Sequence, residues 1–260
     1  MKLSRLGDVW RLHRLLENPA EVRRARRQRE GEIEVRFRDG RRLWLRGGYS
    51  DYHVFDRIFL RDEYRLDEVP GRWGTVVDLG ANVGCFSCRI LPRVDRLIAY
   101  EPDPHNFELL RRNLADAKDA VAVPEAAGAR TGTLRLHLAE GGKLGGRSTQ
   151  FSNLAPELLD SEVEVPVTTL EALFDEHGIE HCDLLKIDVE GAEYDILGAA
   201  PPELLSRVSR IVGEYHDVDP DDPRTRIGNF RALLETAGFR VATEPSSRHA
   251  NTGLFFANRD

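Results

Sequence analysis

Apolar residues recur along the chain at two spacings. Between positions 32 and 46, Ile33, Val35 and Phe37 alternate with charged residues, Asp39-Gly40 supplies a turn, and Leu43 and Leu45 resume the alternation, which predicts a β-hairpin. A polar helical stretch over 50–62 leads to Tyr64 and to Pro70-Gly71, a turn signal that marks the entry to a larger unit. From Thr75 onward short apolar runs alternate with helical patterns, as βαβ units with a parallel sheet require. The strands fall at 75–79, 96–100, 121–125, 184–188 and 210–214, with helices at 85–91, 106–115, 193–197 and 229–237, the last closed by Gly238. Segments 133–138 and 163–168 alternate as a local β-pair, and 240–243 and 253–257 form an antiparallel pair at the tail. Gly141, Gly142, Gly145 and Gly146 predict a mobile loop, and no internal repeat is visible.

Composition narrows this picture without redirecting it. With 260 residues, 41% hydrophobic, 31% charged and a net charge of −7, the chain is ordinary globular material, not collagen-like, disordered or a disulfide scaffold. The expected layout is an N-terminal extension over 1–70 (helix, hairpin and cap helix) followed by an α/β domain over 71–260. No apolar stretch approaches the roughly 20 residues of a membrane span, and the opening MKLSRLGDVWRLHRLL mixes charge into its apolar residues, so a cytoplasmic protein without membrane contact is expected. Cys85, Cys88 and Cys182 are an odd count that suits a reducing compartment. Without a second C-x-x-C, Cys85 and Cys88 read as small helix residues packed on the sheet, not as a redox pair or half a zinc site. The run Arg23, Arg24, Arg26, Arg27 and Arg29 reads as a solvated helix face; in an acidic chain without interleaved aromatics it does not predict a nucleic-acid partner.

The chemistry concentrates at predicted strand ends, where open α/β sheets bind ligands. The first strand runs into Asp78-Leu79-Gly80-Ala81-Asn82-Val83-Gly84, a D-x-G-x-x-x-G turn. Gly80 admits close backbone approach, Asn82 tolerates turn geometry, and Gly84 allows close helix packing. The turn lacks the second glycine of a pyrophosphate-binding G-x-G-x-x-G, and a carboxylate beside it suits a cationic cofactor such as S-adenosylmethionine (SAM). The second strand ends in Glu101-Pro102-Asp103, about 20 residues past the glycine turn, a spacing from which an acid reaches ribose hydroxyls. Glu125 and Ala126, at the third strand end, are placed near the adenine.

At the fourth strand, DLLKIDVEGAEYDIL is the most distinctive segment of the chain. With VDLGANVGCFS, AYEPDPHNFELLRRNL and VTTLEALFDE, it resembles the FkbM family of class I SAM-dependent methyltransferases over about residues 32–257. Glu171 stands where the family often has aspartate, and Glu125 where asparagine is frequent. The resemblance implies a Rossmann-like class I methyltransferase fold with a mainly parallel central sheet, to which the paired tail segments add an antiparallel last strand. It also implies O-methylation of a hydroxyl on a small molecule, sugar or natural product.

Methyl transfer to a hydroxyl needs an in-line approach to the sulfonium methyl and a group that takes the hydroxyl proton. Asp188 closes the fourth strand, Glu190 and Glu193 follow it, and Glu214 and His216 lie on one side of the fifth strand by side-chain alternation. Asp78, Glu101, Asp188, Glu190 and Glu214 are thereby expected at one rim, with Lys186 pairing with one of the acids and Glu193 at a helix N-terminus. His216, ordinarily titrating near 6.5, is the expected general base. In the alternative, Asp188, Glu214 and His216 hold a divalent ion such as Mg²⁺. The competing classes are a nucleotide-dependent oxidoreductase and a non-catalytic binding module. Nothing in the sequence sets the oligomeric state, a homodimer being one option.

Overall fold

A computed structural model describes residues 6–138, 161–217, 226–246 and 251–259. The chain opens with helices α1 (Leu6–Leu15) and α2 (Pro19–Gln28), the hairpin β1 (Glu32–Arg36) and β2 (Arg42–Arg46), and α3 (Asp51–Phe55), which runs directly into a π-helical turn, Asp56–Leu60. Next come β3 (Trp73–Leu79), α4 (Cys85–Ile90), β4 (Val94–Tyr100), α5 (Pro104–Asn113), β5 (Ala120–Val123), β6 (Ala126–Ala127) and β7 (Gly132–Leu138). The remainder is β8 (Ser161–Thr168), α6 (Leu170–Glu176), β9 (Leu184–Ile187), α7 (Glu193–Ala199), α8 (Pro202–Leu205), β10 (Arg210–His216), α9 (Ile227–Thr236), β11 (Arg240–Pro245) and β12 (Thr252–Asn258). The glycine-rich loop expected at 141–146 lies outside the described residues.

The main sheet has the order β11-β12-β10-β9-β3-β4-β5, and only β12 runs against its neighbours. It is the mainly parallel sheet with an antiparallel last strand that the sequence predicts. The predicted hairpin forms with Val35 opposite Leu43, turning at Gly40 with φ +88. The pair β7 and β8 joins β6 in a separate small sheet. Most predicted strands are longer than expected, β10 reaching His216 instead of stopping at Glu214. The third predicted strand, 121–125, is displaced instead: β5 ends at Val123, so Glu125 follows the strand.

Side chains alternate along strands, and here both faces of the sheet are covered, so neighbouring residues enter different cores. Val76, Leu97, Ala99, Leu184, Val212 and Phe256 face one cluster, built with α4, α5 and the extension residues Leu12, Leu16, Phe37, Leu43 and Phe55. Val77, Leu79, Ile98, Tyr100, Leu185, Ile187 and Phe255 face the other, built with α6 to α9. The described extension, from Leu12 to Leu66, therefore shares its apolar core with the α/β layer and lies on one defined face of it. Cys85 and Cys88 are buried free thiols on α4, burial pushing Cys88 up to about 12, which suits packing and not redox or metal chemistry. No helix among the described residues is long and apolar enough to cross a membrane.

Candidate active site

The β3–α4 turn is shaped by a close approach of two strands. Gly80 has φ +76, and a Cβ there would lie 1.9 Å from the Asp188 carbonyl oxygen, so glycine is required to keep β3 beside the end of β9. Asn82, φ +53, turns its side chain to accept from the Val83 amide at 2.7 Å. Gly84, φ +88, faces Leu110 of α5, 2.9 Å from a notional Cβ; it is a packing residue and does not border the cavity.

Asp78 also differs from its expected place. It is 0% exposed, accepts from the Ser87 hydroxyl at 2.7 Å and pairs with Lys186 Nζ at 3.1 Å. Its charge is neutralised beneath the cavity floor, so it does not stand at the rim as a counter-charge for a cofactor. Lys186 donates as well to the Gly80 carbonyl at 2.6 Å. Burial opposes the ammonium, and Asp78 and Asp188 overcome that penalty and raise its pKa. The expectation that Lys186 pairs with an acid holds, and the partner is Asp78.

A cavity of about 410 Å³ opens at the carboxyl ends of β3, β4, β9 and β10, the size of a small-molecule site. One end is bordered by Gly80, Asn82, Glu101, Pro102, Glu125 and Ala126. There Glu101 accepts from the Asn82 amide at 2.7 Å and the Asp103 amide at 3.0 Å. Burial, reinforced by Asp103, lifts its carboxyl to about 7 against those hydrogen bonds.

The other end is bordered by Asp188, Glu190 and Glu214 together with residues of the extension. Tyr64 donates to Asp188 Oδ2 at 3.1 Å, and Arg57 donates to Glu214 at 2.6 Å and to Glu63. Glu190 is held at φ +57, an uncommon backbone state for a residue other than glycine, just before Gly191. Glu193 explains how that turn persists. Wholly buried, it accepts from the Val189 and Gly191 amides at 3.1 Å and from His216 Nδ1 at 3.0 Å, so it does more than sit favourably at a helix N-terminus.

His216 does not border the cavity; it lies buried between Glu193 and Glu190, whose carboxylate is 3.4 Å from Nε2. Burial disfavours the imidazolium, but Glu193 and Glu190 outweigh burial and raise the pKa to about 10. The ordinary value near 6.5 assumed for a base is not retained, and the ring is protonated at neutral pH. Asp188, Glu214 and His216 nevertheless bring one donor atom each within 4.8 Å of one another. The positioning role of Glu193 and the entry of Arg57 and Glu63 into the site were not legible in the sequence; the extension was expected to cover the site, and Tyr64 figured only as the residue that follows the polar helix over 50–62.

The site lies in a segment that can be compared with known proteins. The profile of the Methyltransferase FkbM domain matches residues 78–241. The chain belongs to the FkbM methyltransferase family. It is 31% identical over 228 residues to the 31-O-demethyl-FK506 methyltransferase FkbM of Streptomyces tacrolimicus, covering 76% of this chain and 84% of that one. It is 28% identical over 252 residues to the AMB antimetabolite synthetase AmbE of Pseudomonas aeruginosa, covering 82% of this chain but only 12% of that much longer protein. With the 2-O-methyltransferase NoeI of Sinorhizobium fredii it shares 29% identity over 155 residues, 55% of this chain and 63% of the relative. Membership of a SAM-dependent methyltransferase family sets aside the oxidoreductase and binding-module readings. Every cofactor-side candidate from Asp78 to Glu125 falls within the matched FkbM segment, whereas Arg57, Glu63 and Tyr64 lie upstream of it.

Proposed function

We propose that this FkbM family methyltransferase transfers the SAM methyl group to a hydroxyl of a small molecule, of the sugar or natural-product kind. The observation that carries the reading is one cavity with two differently built ends, a carboxylate held by two backbone amides at one and a cluster of carboxylates at the other. The names of two relatives, a 31-O-demethyl-FK506 methyltransferase and a 2-O-methyltransferase, support an oxygen acceptor.

Glu101 suits a ribose, because an ionised carboxylate only accepts hydrogen bonds and vicinal hydroxyls donate them. Asn82, Pro102, Glu125 and Ala126 would border the rest of the cofactor, and Gly80 keeps the floor free of a side chain. SAM supplies the electrophilic methyl group. At the acceptor end, Asp188 is the group we assign to take the hydroxyl proton, since it borders the cavity and Tyr64 fixes its orientation. His216 holds Glu190 in place from behind, and Glu214 is held by Arg57. The segment 1–70 then acts as an extension that completes the acceptor end.

Asp188, Glu214 and His216 are the residues that would hold a divalent ion such as Mg²⁺, which would acidify the acceptor hydroxyl. They fit a hard cation poorly, because His216 is a charged imidazolium and Mg²⁺ prefers oxygen ligands. The charges of this set are already committed, Glu214 to Arg57 and His216 to two carboxylates, which favours a reaction without the ion. Calorimetric titration with S-adenosylhomocysteine (SAH), with NAD as control ligand, tests the assignment. Binding of SAH alone is expected, followed by turnover in a hydroxyl-acceptor screen that a chelator leaves unchanged. Binding of NAD, or of neither ligand, would overturn the reading.

A further inference from the structure

Arg57 stands on the π-helical turn of the extension, a helix irregularity often associated with functional sites. The turn is anchored on both sides. Asp56 pairs with Arg26 at 2.7 Å, and Phe55 and Phe59 pack with ring centroids 4.8 Å apart. From this base the guanidinium bridges Glu63 and Glu214, the latter at 2.6 Å. Glu214 is also one of the three groups whose donor atoms converge within 4.8 Å. A guanidinium keeps its charge at any physiological pH and presents a planar fork matched to carboxylates. A metal ion entering the set would share Glu214 with the charge-assisted hydrogen bond that Arg57 makes to Oε2 and would place its own charge beside the guanidinium.

We propose that Arg57 is the resident cation of the acceptor end, a positioning residue that holds Glu214 in place of a divalent ion and lets Asp188, Glu214 and His216 work without one. What the set does in turnover rests on the methyltransferase reading; the occupancy of Glu214 by Arg57 does not.

The test is Mn²⁺ uptake by the full chain, followed by loss of the free-ion electron paramagnetic resonance signal. Wild type and R57K, which keep the cation, are expected to take up no Mn²⁺ below about 1 mM. R57M is expected to bind one ion about tenfold or more tightly than wild type, and R57M/E214Q to lose that gain. Uptake by wild type as tight as by R57M would overturn the proposal, as would a folded R57M that gains nothing. If R57M does not fold, wild type and R57K decide the matter, and tight uptake by either overturns the proposal. SAH titration of the same wild-type preparation separates the two failures, because a wrong methyltransferase reading appears as absent SAH binding whatever Mn²⁺ does.

Discussion

The two ends of the cavity are built by different means. The end we assign to the cofactor is local: the Gly80–Gly84 turn and Glu101 follow two adjacent parallel strands, and the Glu101 carboxylate bonds back to the amides of Asn82 and Asp103. The end we assign to the acceptor is assembled from segments far apart in the chain, with Tyr64 on Asp188 across 124 residues and Arg57 on Glu214 across 157. The first depends on the backbone path after each strand, whereas the second depends on how the extension docks on the sheet.

The largest expected effect probes whether Asp78 belongs to the cofactor end at all. Asp78→Asn leaves Lys186 buried without its charge partner and should cost about 3–5 kcal/mol in chemical denaturation. SAH affinity of the remaining folded protein should change little, and a selective loss of affinity at unchanged stability would return Asp78 to the ligand.

Glu101→Gln should do the reverse. Replacing a charged hydrogen-bond acceptor costs about 1.5–3 kcal/mol, roughly 10–100-fold in SAH affinity by calorimetry. Unchanged affinity would break the ribose assignment.

The same carboxyl makes binding depend on pH. Free Glu101 titrates at about 7, and hydroxyls donating to it stabilise the ionised form and lower its pKa in the complex. Protons then compete with the ligand. SAH affinity should rise with pH by up to about tenfold per unit and level off above about 7. A flat profile in Glu101→Gln would assign the dependence to this group, and an unaltered slope would assign it elsewhere.

The smallest effect lies at the acceptor end. Tyr64→Phe removes one hydrogen bond to Asp188, about 1 kcal/mol, and should lower kcat/KM about fivefold while leaving SAH affinity alone. A matching loss of SAH affinity would mean that the two ends are not separable.

Much of the cofactor end was legible because its signals are local. Strand, turn and helix follow within a dozen residues, and Glu101 follows the glycine turn at a characteristic spacing. The same locality misled at Asp78. A carboxylate at a strand end looks available for a ligand, but strand alternation turns it inward, and Lys186 from a neighbouring strand neutralises it. His216 shows the same limit for titration. Its residue type suggests a base, while two carboxylates brought against it by the β9–α7 turn make it a cation.

The sequence alone determined the alternation of strands and helices, the mainly parallel sheet, the glycine turn and the identity of the acids at the strand ends, because each follows from periodicity or from a motif within a short span. Only the tertiary structure decided which of those acids face the cavity, what charge His216 carries, and that Arg57 and Tyr64 reach the end of the sheet. These depend on distances between residues separated by many turns of chain, and on burial, which alters the cost of charge; neither is encoded in the spacing of residues along one segment.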